Sequence, residues 1–192
     1  MRVLDFDGTV YKGASLLDFY LFTIRMDPRV LSFLPVALRY ALLYRMGRVT
    51  LNQMDHAMRT IGHRYLLLLH SKPGFDLEDA VSRFWDGHMD RIMDWYSPRE
   101  DDVVLTGSFD VVVGEACRRL GIGTCVGSRL TPDHLGVEYL NFGPAKPGHF
   151  SQVCGKEARV DAFFTDSESD RPMIDMAEHA YLVSRGRVTK IK

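Results

Sequence analysis

The feature that most restricts the fold is a regular alternation of short apolar segments and amphipathic helices in the second half of the chain. Apolar segments that alternate with helices are typical of a parallel sheet covered by helices on both faces. The elements predicted after Tyr96 are strands at 103–105, 123–126, 160–165 and 180–184, helices at 109–120 and 170–178, and a surface hairpin at 130–140. This pattern predicts an α/β fold with a doubly wound parallel sheet in three layers.

One further predicted strand stands apart from this group. Residues 2–6 read as a short buried strand, whereas residues 15–95 show only helical patterns. We therefore expect the first strand to join the later sheet, with an all-helical cap inserted after it. The predicted organisation is a catalytic core of residues 1–12 and 97–192 and a helical cap domain of residues 13–96, a length that suits a small domain.

Several local signals place helices in this insertion. The first predicted helix covers Ser15–Met26. Thr50 and Gln53 form the pattern of a capping box, in which each side chain satisfies a free backbone amide of the other residue, and this helix should run to about His70. The pattern after Asp76 predicts a last helix whose apolar stripe recurs at helical spacing as far as Trp95.

The apolar run at residues 30–46 needs a separate interpretation, because 13 of its 17 residues are apolar. It is shorter than the ~20 residues that span a bilayer, and Pro35, Arg39 and Arg45 interrupt it. We therefore expect no stable membrane insertion. The helix at 29–46 is interpreted as part of the cap core or as a homodimer contact, and a lipid-like phosphate substrate is a third interpretation.

Composition limits the classes of partner and the compartment. Lys plus Arg total 24 and Asp plus Glu total 25, so the net charge is −1. This balance gives no overall electrostatic case for binding nucleic acid, and we expect no nucleic-acid partner. Cys117, Cys125 and Cys154 are odd in number and form no C-x-x-C pair, which favours a reducing compartment. Since the first residues also lack a signal-peptide pattern, we expect a cytoplasmic location.

The main chemical signal is the segment 5–9, Asp-Phe-Asp-Gly-Thr, at the carboxyl end of the first predicted strand. Open parallel sheets bind ligands at this edge, and Asp5 and Asp7 point to the same side of an extended segment. Two close carboxylates repel, so one of them holds a proton more readily unless a cation intervenes. One ionised and one protonated acid suit a nucleophile and a general acid. The competing interpretation is an ordinary turn, which Asp-Gly-Thr also favours.

A second signal lies at Thr106 and Gly107, after the next predicted strand. A hydroxyl beside flexible backbone amides can hold phosphoryl oxygens, although Ser or Thr before a helix is also a common N-cap. Lys146, in a loop further on, could neutralise a phosphoryl group. Lys156 is an alternative, but Lys146 leaves more room for a helix and a returning strand before the next acidic segment.

A third signal is the acidic segment that begins at Asp166 and includes Asp170, directly after the strand predicted at 160–165. An oxygen-rich site of this kind suits a hard cation such as Mg²⁺. Acidic residues are also common at helix N-termini, where they interact favourably with the helix dipole. Both interpretations of the segment therefore stay open.

Taken in order, these elements resemble the haloacid dehalogenase superfamily of phosphohydrolases. The family pattern is D-x-D-G-T, an apolar strand ending in Ser or Thr, a Lys, and an apolar strand ending in D-x-x-x-D. The matching positions here are Asp5, Asp7, Gly8, Thr9, Thr106, Lys146, Asp166 and Asp170. The helical insertion and the Asn141-x-Gly143-x-x-Lys146 element are similar to the phosphoserine phosphatase-like branch, which has a helical C1-type cap.

The resemblance implies a Mg²⁺-dependent phosphomonoesterase that acts on a small phosphorylated metabolite. It implies that Asp5 is the nucleophile that forms an aspartyl-phosphate, and that Asp7 is the general acid and base. The residues implied to bind the phosphoryl group are Thr106, Gly107 and Lys146. The implied metal ligands are Asp5, the main-chain carbonyl of Asp7, and Asp166, with Asp170 orienting a water molecule or Lys146.

One position departs from the family pattern and leaves the substrate open. Phosphoserine phosphatases carry a Glu nine residues after the nucleophile that helps to recognise the substrate amine, and this position is Ala14 here. We therefore expect that phosphoserine is not the substrate. The alternatives are a phosphotransferase or mutase on the same core, and a non-catalytic receiver-like or partner-binding module.

Overall fold

The computed structural model describes residues 1–192, apart from the side chain of Arg45. Seven strands form one sheet in the order β4-β3-β2-β1-β5-β6-β7. The strands are β1 Arg2–Leu4, β2 Val103–Phe109, β3 Thr124–Leu130, β4 Val137–Tyr139, β5 Ala162–Thr165, β6 His179–Ser184 and β7 Arg187–Lys190. The five central strands run parallel to one another, in the order β3, β2, β1, β5 and β6. The two edge strands, β4 and β7, are each antiparallel to their neighbour. The predicted parallel sheet is confirmed, with β1 at its centre.

Helices cover both faces of this sheet, as the alternation of side chains along each strand requires. On one face, Leu4 and Val104 pack with helix α5, Asp110–Leu120. On the other face, Val3 and Phe163 pack with α6, Lys146–Cys154, and α7, Arg171–Met176. The two apolar clusters on opposite sides confirm the predicted three-layer, doubly wound α/β architecture.

The segment between β1 and β2 is helical apart from its connections. Its α-helices are α1 Ser15–Ile24, α2 Leu34–Arg45, α3 Leu51–His70 and α4 Leu77–Asp86, and its 3₁₀ turns are Pro28–Phe33 and Met89–Arg91. The capping box of Thr50 and Gln53 is present at the start of α3. Buried residues of α4 and α5 belong to one apolar cluster, so α4 packs against the helix that covers this face of the sheet. The boundaries between core and cap, expected after residue 12 and after residue 96, stay a prediction.

Three predicted helices differ from the structure, and one strand was not predicted. The helix predicted at 29–46 is the 3₁₀ turn Pro28–Phe33 followed by α2, Leu34–Arg45. The stripe up to Trp95 does not form one helix, because α4 ends at Asp86 and Gly87 follows as its C-cap. The helix predicted at 170–178 is a 3₁₀ turn, Glu168–Asp170, followed by the shorter α7. The strand β7 has no counterpart in the prediction, because its four residues are all exposed and show no apolar alternation. Among the described residues, no helix is both long and apolar enough to cross a membrane.

A buried ion pair fixes the first strand to the segment that leads into β2. The Arg2 guanidinium donates to both carboxylate oxygens of Asp102 at 2.6 Å, and the Tyr96 hydroxyl donates to Oδ2 at 2.8 Å. Burial would raise the pKa of Asp102, but the hydrogen bonds from Arg2, Tyr96 and the Arg99 amide together hold it below its ordinary value. This carboxylate therefore ties the C-terminal end of the helical insertion to β1.

Replacing Asp102 should destabilise the fold strongly. We expect Asp102→Asn to lower the free energy of unfolding by about 3 kcal/mol at pH 7, since it leaves a largely buried Arg2 without its partner. Because the pKa of Asp102 is lower in the folded state, this contribution is present above the unfolded pKa of about 3.9 and is lost as the pH falls below it. Urea unfolding at pH 7 and at acidic pH measures both effects. The exposed neighbour Asp101 provides the control Asp101→Asn, and an equal loss in both variants would contradict the role of the ion pair.

Candidate active site

The segment that follows β1 turns sharply at the carboxyl end of the sheet. The Phe6 carbonyl accepts hydrogen bonds from three successive amides, of which those of Val10 and Tyr11 are at 2.8 Å. Gly8 has a φ of +73°, a conformation that favours glycine. A Cβ atom at Gly8 would also overlap the carboxylate of Asp166. Glycine at this position therefore permits both the turn and the close approach of the acidic segment after β5.

Lys146 joins the acids of two neighbouring strand ends. As the first residue of α6 it is 4% exposed. Its Nζ atom donates to Oδ1 of Asp5 at 2.8 Å and to Oδ2 of Asp170 at 2.8 Å. The Thr165 hydroxyl also donates to Oδ2 of Asp170, at 2.9 Å. The structure thus brings Asp5, Lys146 and Asp170 together, whereas the alternative, Lys156, lies exposed on the surface.

One ammonium group serves two buried carboxylates in this cluster. Burial raises the pKa of Asp5 to about 7, against the opposing effect of Lys146. Burial alone would lower the pKa of Lys146, but Asp5 and Asp170 together raise it. Both pKa values are raised because burial opposes the ionisation of Asp5, which shares the Lys146 cation with Asp170, while Lys146 interacts with two negative charges. Among the described side chains of this cluster, the negative charges outnumber the positive one.

The Asp7 carboxylate is held by two serines from different parts of the chain. The Ser15 amide, at the start of α1, donates to Oδ1 of Asp7 at 2.7 Å. The Ser108 hydroxyl donates to Oδ2 at 2.7 Å and accepts a hydrogen bond from the Ser15 hydroxyl at 2.9 Å. The sequence motifs did not indicate the role of Ser15. The free amides at a helix N-terminus attract carboxylates, so the predicted start of this helix was the available signal.

The Thr106–Gly107 segment has a supported backbone. The Asn141 side chain donates to the Thr106 carbonyl at 3.0 Å, and the Ser128 hydroxyl donates to the Gly107 carbonyl at 2.6 Å. Thr106 is fully buried, and its hydroxyl accepts from the Ser108 amide at 3.0 Å. Of these two residues, Gly107 lines the active-site cavity described next, whereas Thr106 is not among the described residues of its lining. Nothing in the sequence pattern indicated Ser128.

These side chains meet in a cavity of about 540 Å³. Its lining from the core comprises Asp5, Asp7, Gly8, Gly107, Phe142, Gly143, Pro144, Lys146, Asp166, Ser167, Ser169 and Asp170. Its lining from the helical insertion comprises Gly13, Ala14, Tyr44 and Leu51. The described lining therefore contains four carboxylates and a single cationic side chain, so an anionic ligand would need further positive charge to bind there.

The donor set in this cavity fits a hard divalent cation. Asp166 is accessible from solvent, yet the atoms around it desolvate its carboxylate and, with Asp170 and Asp7 nearby, raise its pKa. Within the described residues, no three His, Cys, Asp or Glu side chains are grouped to hold a metal. The predicted ligands need only two side chains, those of Asp5 and Asp166, because the third donor is the Asp7 carbonyl. Carboxylate and carbonyl oxygens are the ligands that Mg²⁺ prefers, so these residues fit it.

The acid one helical turn beyond Ala14, Asp18, is already paired. The Asp18 carboxylate accepts from Arg91 at 2.8 Å and from the Tyr11 hydroxyl at 2.9 Å. Arg91 also lies over the Tyr11 ring, at 4.9 Å from its centroid. The described lining from the helical insertion is thus uncharged, and the charge of Asp18 is balanced by Arg91.

The amino-acid sequence matches a known protein family over most of its length. Residues 3–175 match the family model described as haloacid dehalogenase-like hydrolase. No curated protein sequence matches the chain significantly.

Solved structures with similar folds cover most of the chain. One is a protein with unknown function from Bordetella pertussis Tohama I, with a TM-score of 0.66 at 13% identity, covering 91% of this chain and 85% of that one. Another is a phosphoserine phosphohydrolase-like protein from Francisella tularensis subsp. tularensis SCHU S4, with a TM-score of 0.58 at 15% identity and coverages of 94% and 86%. A third is cytosolic 5′-nucleotidase IIIB bound to cytidine, with a TM-score of 0.54 at 14% identity and coverages of 92% and 68%. At these identities the likeness concerns the fold.

Proposed function

Because the chain belongs to the haloacid dehalogenase-like hydrolases, we propose that it is a Mg²⁺-dependent phosphomonoesterase that acts on a small phosphorylated molecule. The family match confirms the predicted superfamily and that the chain is an enzyme of a hydrolase family. The observation that carries the proposed reaction is the contact of Lys146 with Asp5 and Asp170, both at 2.8 Å, beside Asp7 and Asp166 at one sheet edge.

The first step of the proposed reaction transfers the phosphoryl group to Asp5. Lys146 holds Oδ1 of Asp5, which orients the carboxylate and leaves Oδ2 for attack on phosphorus. A bond forms between Oδ2 and phosphorus while the bond from phosphorus to the ester oxygen breaks. Asp7, in its protonated form, gives its proton to the leaving oxygen. The products of this step are an alcohol and an aspartyl-phosphate.

The second step returns the enzyme to its starting state. Asp7, now ionised, accepts a proton from a water molecule whose oxygen attacks phosphorus. The bond between phosphorus and Oδ2 breaks, which restores the Asp5 carboxylate and releases inorganic phosphate. Ser15 and Ser108 hold Asp7 in one orientation through both steps.

The remaining site residues are proposed to bind the phosphoryl group and the metal ion. The Gly107 amide and Lys146 would bind phosphoryl oxygens, and Asp170 would keep Lys146 in position. Thr106, predicted to bind the phosphoryl group, lies outside the described cavity lining and would instead support the loop through its hydrogen bond with the Ser108 amide. Mg²⁺ would be held by Asp5, the Asp7 carbonyl and Asp166. When bound, it supplies the positive charge that offsets both the phosphoryl group and the excess of carboxylates. For the compartment we propose the cytoplasm, because all three cysteines are free thiols, as expected in a reducing environment.

Turnover of p-nitrophenyl phosphate tests this proposal. We expect release of p-nitrophenol and of one phosphate per turnover in the presence of Mg²⁺, and loss of both when EDTA removes the metal. A phosphotransferase would instead yield less phosphate than p-nitrophenol when an acceptor alcohol is added. Absence of turnover with Mg²⁺ would contradict the proposal and favour a non-catalytic module.

Substrate selection must come from the groups that line the cavity on the cap side, and these disfavour an ammonium group. Ala14 stands where the related phosphatases carry a Glu, and Asp18 is already paired with Arg91. An ammonium group buried without a partner costs several kcal/mol. We expect kcat/KM for phosphoserine to be at least ~100-fold below that of the best substrate, which is about 2.7 kcal/mol of discrimination.

A matched pair of substrates measures this selection. The phosphate monoester of 3-hydroxypropanoate has the skeleton of phosphoserine without its ammonium group. We expect steady-state kinetics to give it the higher kcat/KM, and Ala14→Glu to narrow the difference. If phosphoserine is instead among the best substrates of the unaltered chain, another acid recognises the amine and this assignment of the cavity is wrong.

A further inference from the structure

The 3₁₀ turn Pro28–Phe33, α2 and its C-cap residue Met46 carry an unusual concentration of exposed apolar side chains. Of the fourteen large hydrophobic residues exposed among those described, six lie here, and we call them the α2 patch: Leu31, Val36, Leu38, Leu42, Tyr44 and Met46. Leu38 and Leu42 are 59% and 58% exposed. A helix that is apolar on all sides is normally buried on all sides, and a patch of this kind marks an interaction surface.

The charge around the α2 patch is mainly positive. Residues 27–54 contain four arginines and a single acid, Asp27, which pairs with Arg29 at 2.6 Å, so this stretch carries a formal charge of +3 in a chain whose net charge is −1. Arg39 and Arg48 are exposed beside the apolar residues. A second copy of the chain on this patch would bring two such positive stretches together. The charge therefore complements an anionic surface and disfavours self-association.

The α2 patch is also continuous with the candidate active site. Tyr44, a member of the patch, and Leu51, at the start of α3, line the cavity that contains Asp5 and Lys146. At its other side, Val36 borders a cleft of about 700 Å³ between α2 and α3 that contains Arg64 and Leu67. A molecule with a phosphate in the cavity and an apolar chain could leave along Tyr44 onto the patch.

We propose that the α2 patch docks on an anionic membrane surface and that the substrate is an amphiphilic phosphomonoester held in that surface. Exposed leucines combined with arginines and tyrosines are the composition that binds the boundary between lipid headgroups and acyl chains. Exposed arginines add attraction to anionic lipids. The docking rests on the patch alone, whereas the substrate class rests on the proposed phosphomonoesterase function.

Sedimentation of the full chain with vesicles tests the docking. We expect binding to vesicles of equimolar phosphatidylcholine and phosphatidylglycerol that is at least about tenfold tighter than to phosphatidylcholine alone, and that weakens with added salt. The double variant Leu38→Glu/Leu42→Glu should lose binding to both, and Arg39→Gln/Arg48→Gln should lose the preference for anionic vesicles. The control Val153→Glu/Val188→Glu makes the same change at exposed apolar residues elsewhere and should bind as the unaltered chain does.

Hydrolysis of two phosphates tests the substrate class. We expect Leu38→Glu/Leu42→Glu to slow hydrolysis of diacylglycerol phosphate in vesicles by about tenfold or more, in step with the lost binding, and to leave p-nitrophenyl phosphate turnover unchanged. Asp5→Asn should still sediment with anionic vesicles. Vesicle binding without turnover of any phosphate would refute the proposed function and leave the docking intact.

Two results would overturn the docking. One is equal sedimentation with neutral and anionic vesicles, or none with either. The other is a dimer in sedimentation velocity that Leu38→Glu/Leu42→Glu dissociates, with no vesicle binding, which would make a second copy the occupant of the α2 patch. Vesicle binding combined with slow hydrolysis of diacylglycerol phosphate relative to soluble phosphates would overturn the substrate class.

Discussion

Asp5→Asn should reduce kcat for p-nitrophenyl phosphate by about 10⁴–10⁶-fold, the range seen when a covalent nucleophile is removed. The amide has the shape of the carboxylate, but its oxygen cannot attack phosphorus and form the acyl-phosphate. The same substitution should abolish phosphorylation of the chain, which mass spectrometry of acid-quenched enzyme detects as an added phosphoryl group in the unaltered protein only. Retention of more than a few per cent of activity would remove Asp5 from the role of nucleophile.

The stability of Asp5→Asn separates a chemical role from a structural one. Burial raises the pKa of Asp5 to about 7, so its folded pKa lies above its unfolded value. Ionised Asp5 therefore costs folding free energy above that pH, and the neutral amide removes this cost. We expect an unfolding temperature at pH 8 that is not lower than that of the unaltered chain. Asp94, an exposed acid, provides the control Asp94→Asn, and a parallel loss of stability and activity in Asp5→Asn would point to a structural role.

Asp166→Ala should abolish both Mg²⁺ binding and turnover. It removes one of only two side chains proposed to bind the metal, and the remaining excess of negative charge would stay unbalanced when phosphate binds. Isothermal titration calorimetry with MgCl₂ should show an affinity reduced by more than about 100-fold, beyond the range for residues that only support a ligand. The exposed Glu168 provides the control Glu168→Ala, which should bind Mg²⁺ normally.

Comparing Asp170→Asn with Asp166→Ala shows which of the two acids binds the metal directly. Asp170 contacts Lys146 and Thr165 at 2.8 and 2.9 Å, so we place it outside the metal's ligands. We expect its Mg²⁺ affinity to fall by about 10–100-fold, as for residues that hold a ligand in place. If Asp166→Ala binds Mg²⁺ as tightly as the unaltered chain, or if Asp170→Asn loses more affinity than Asp166→Ala, the assignment of the two acids is wrong.

Local signals in the sequence predicted much of the architecture. The capping box of Thr50 and Gln53 placed the start of α3 correctly, because the two hydrogen bonds involve groups only three residues apart. The apolar pattern wrongly predicted that α4 continues beyond Gly87. Met89 and Trp95 are partly buried although neither lies in an α-helix, so their helical spacing is a coincidence. Apolar periodicity therefore indicates which residues are buried. It indicates an α-helix only as far as no residue such as Gly87 ends that helix.

The order of the chemical elements follows from the amino-acid sequence: two acids after the first strand, then Thr106, Lys146 and a second acidic segment. Each element depends on neighbours in the chain, so its backbone conformation follows from local hydrogen bonds and side-chain spacing. The contact of Lys146 with Asp5 joins residues 141 positions apart. Only the strand order, which places β5 beside β1, made that contact and excluded Lys156.

The tertiary structure alone also decided which groups are neutralised and which are left open. It placed the Ser15 amide on Asp7 and Arg91 on Asp18, and it left Leu38 and Leu42 of α2 exposed. A sequence shows that a side chain is charged or apolar, but its energy depends on what lies against it. That environment is created when segments far apart in the chain pack together, because burial and ion pairing act over a few ångströms in space, whatever the separation along the chain.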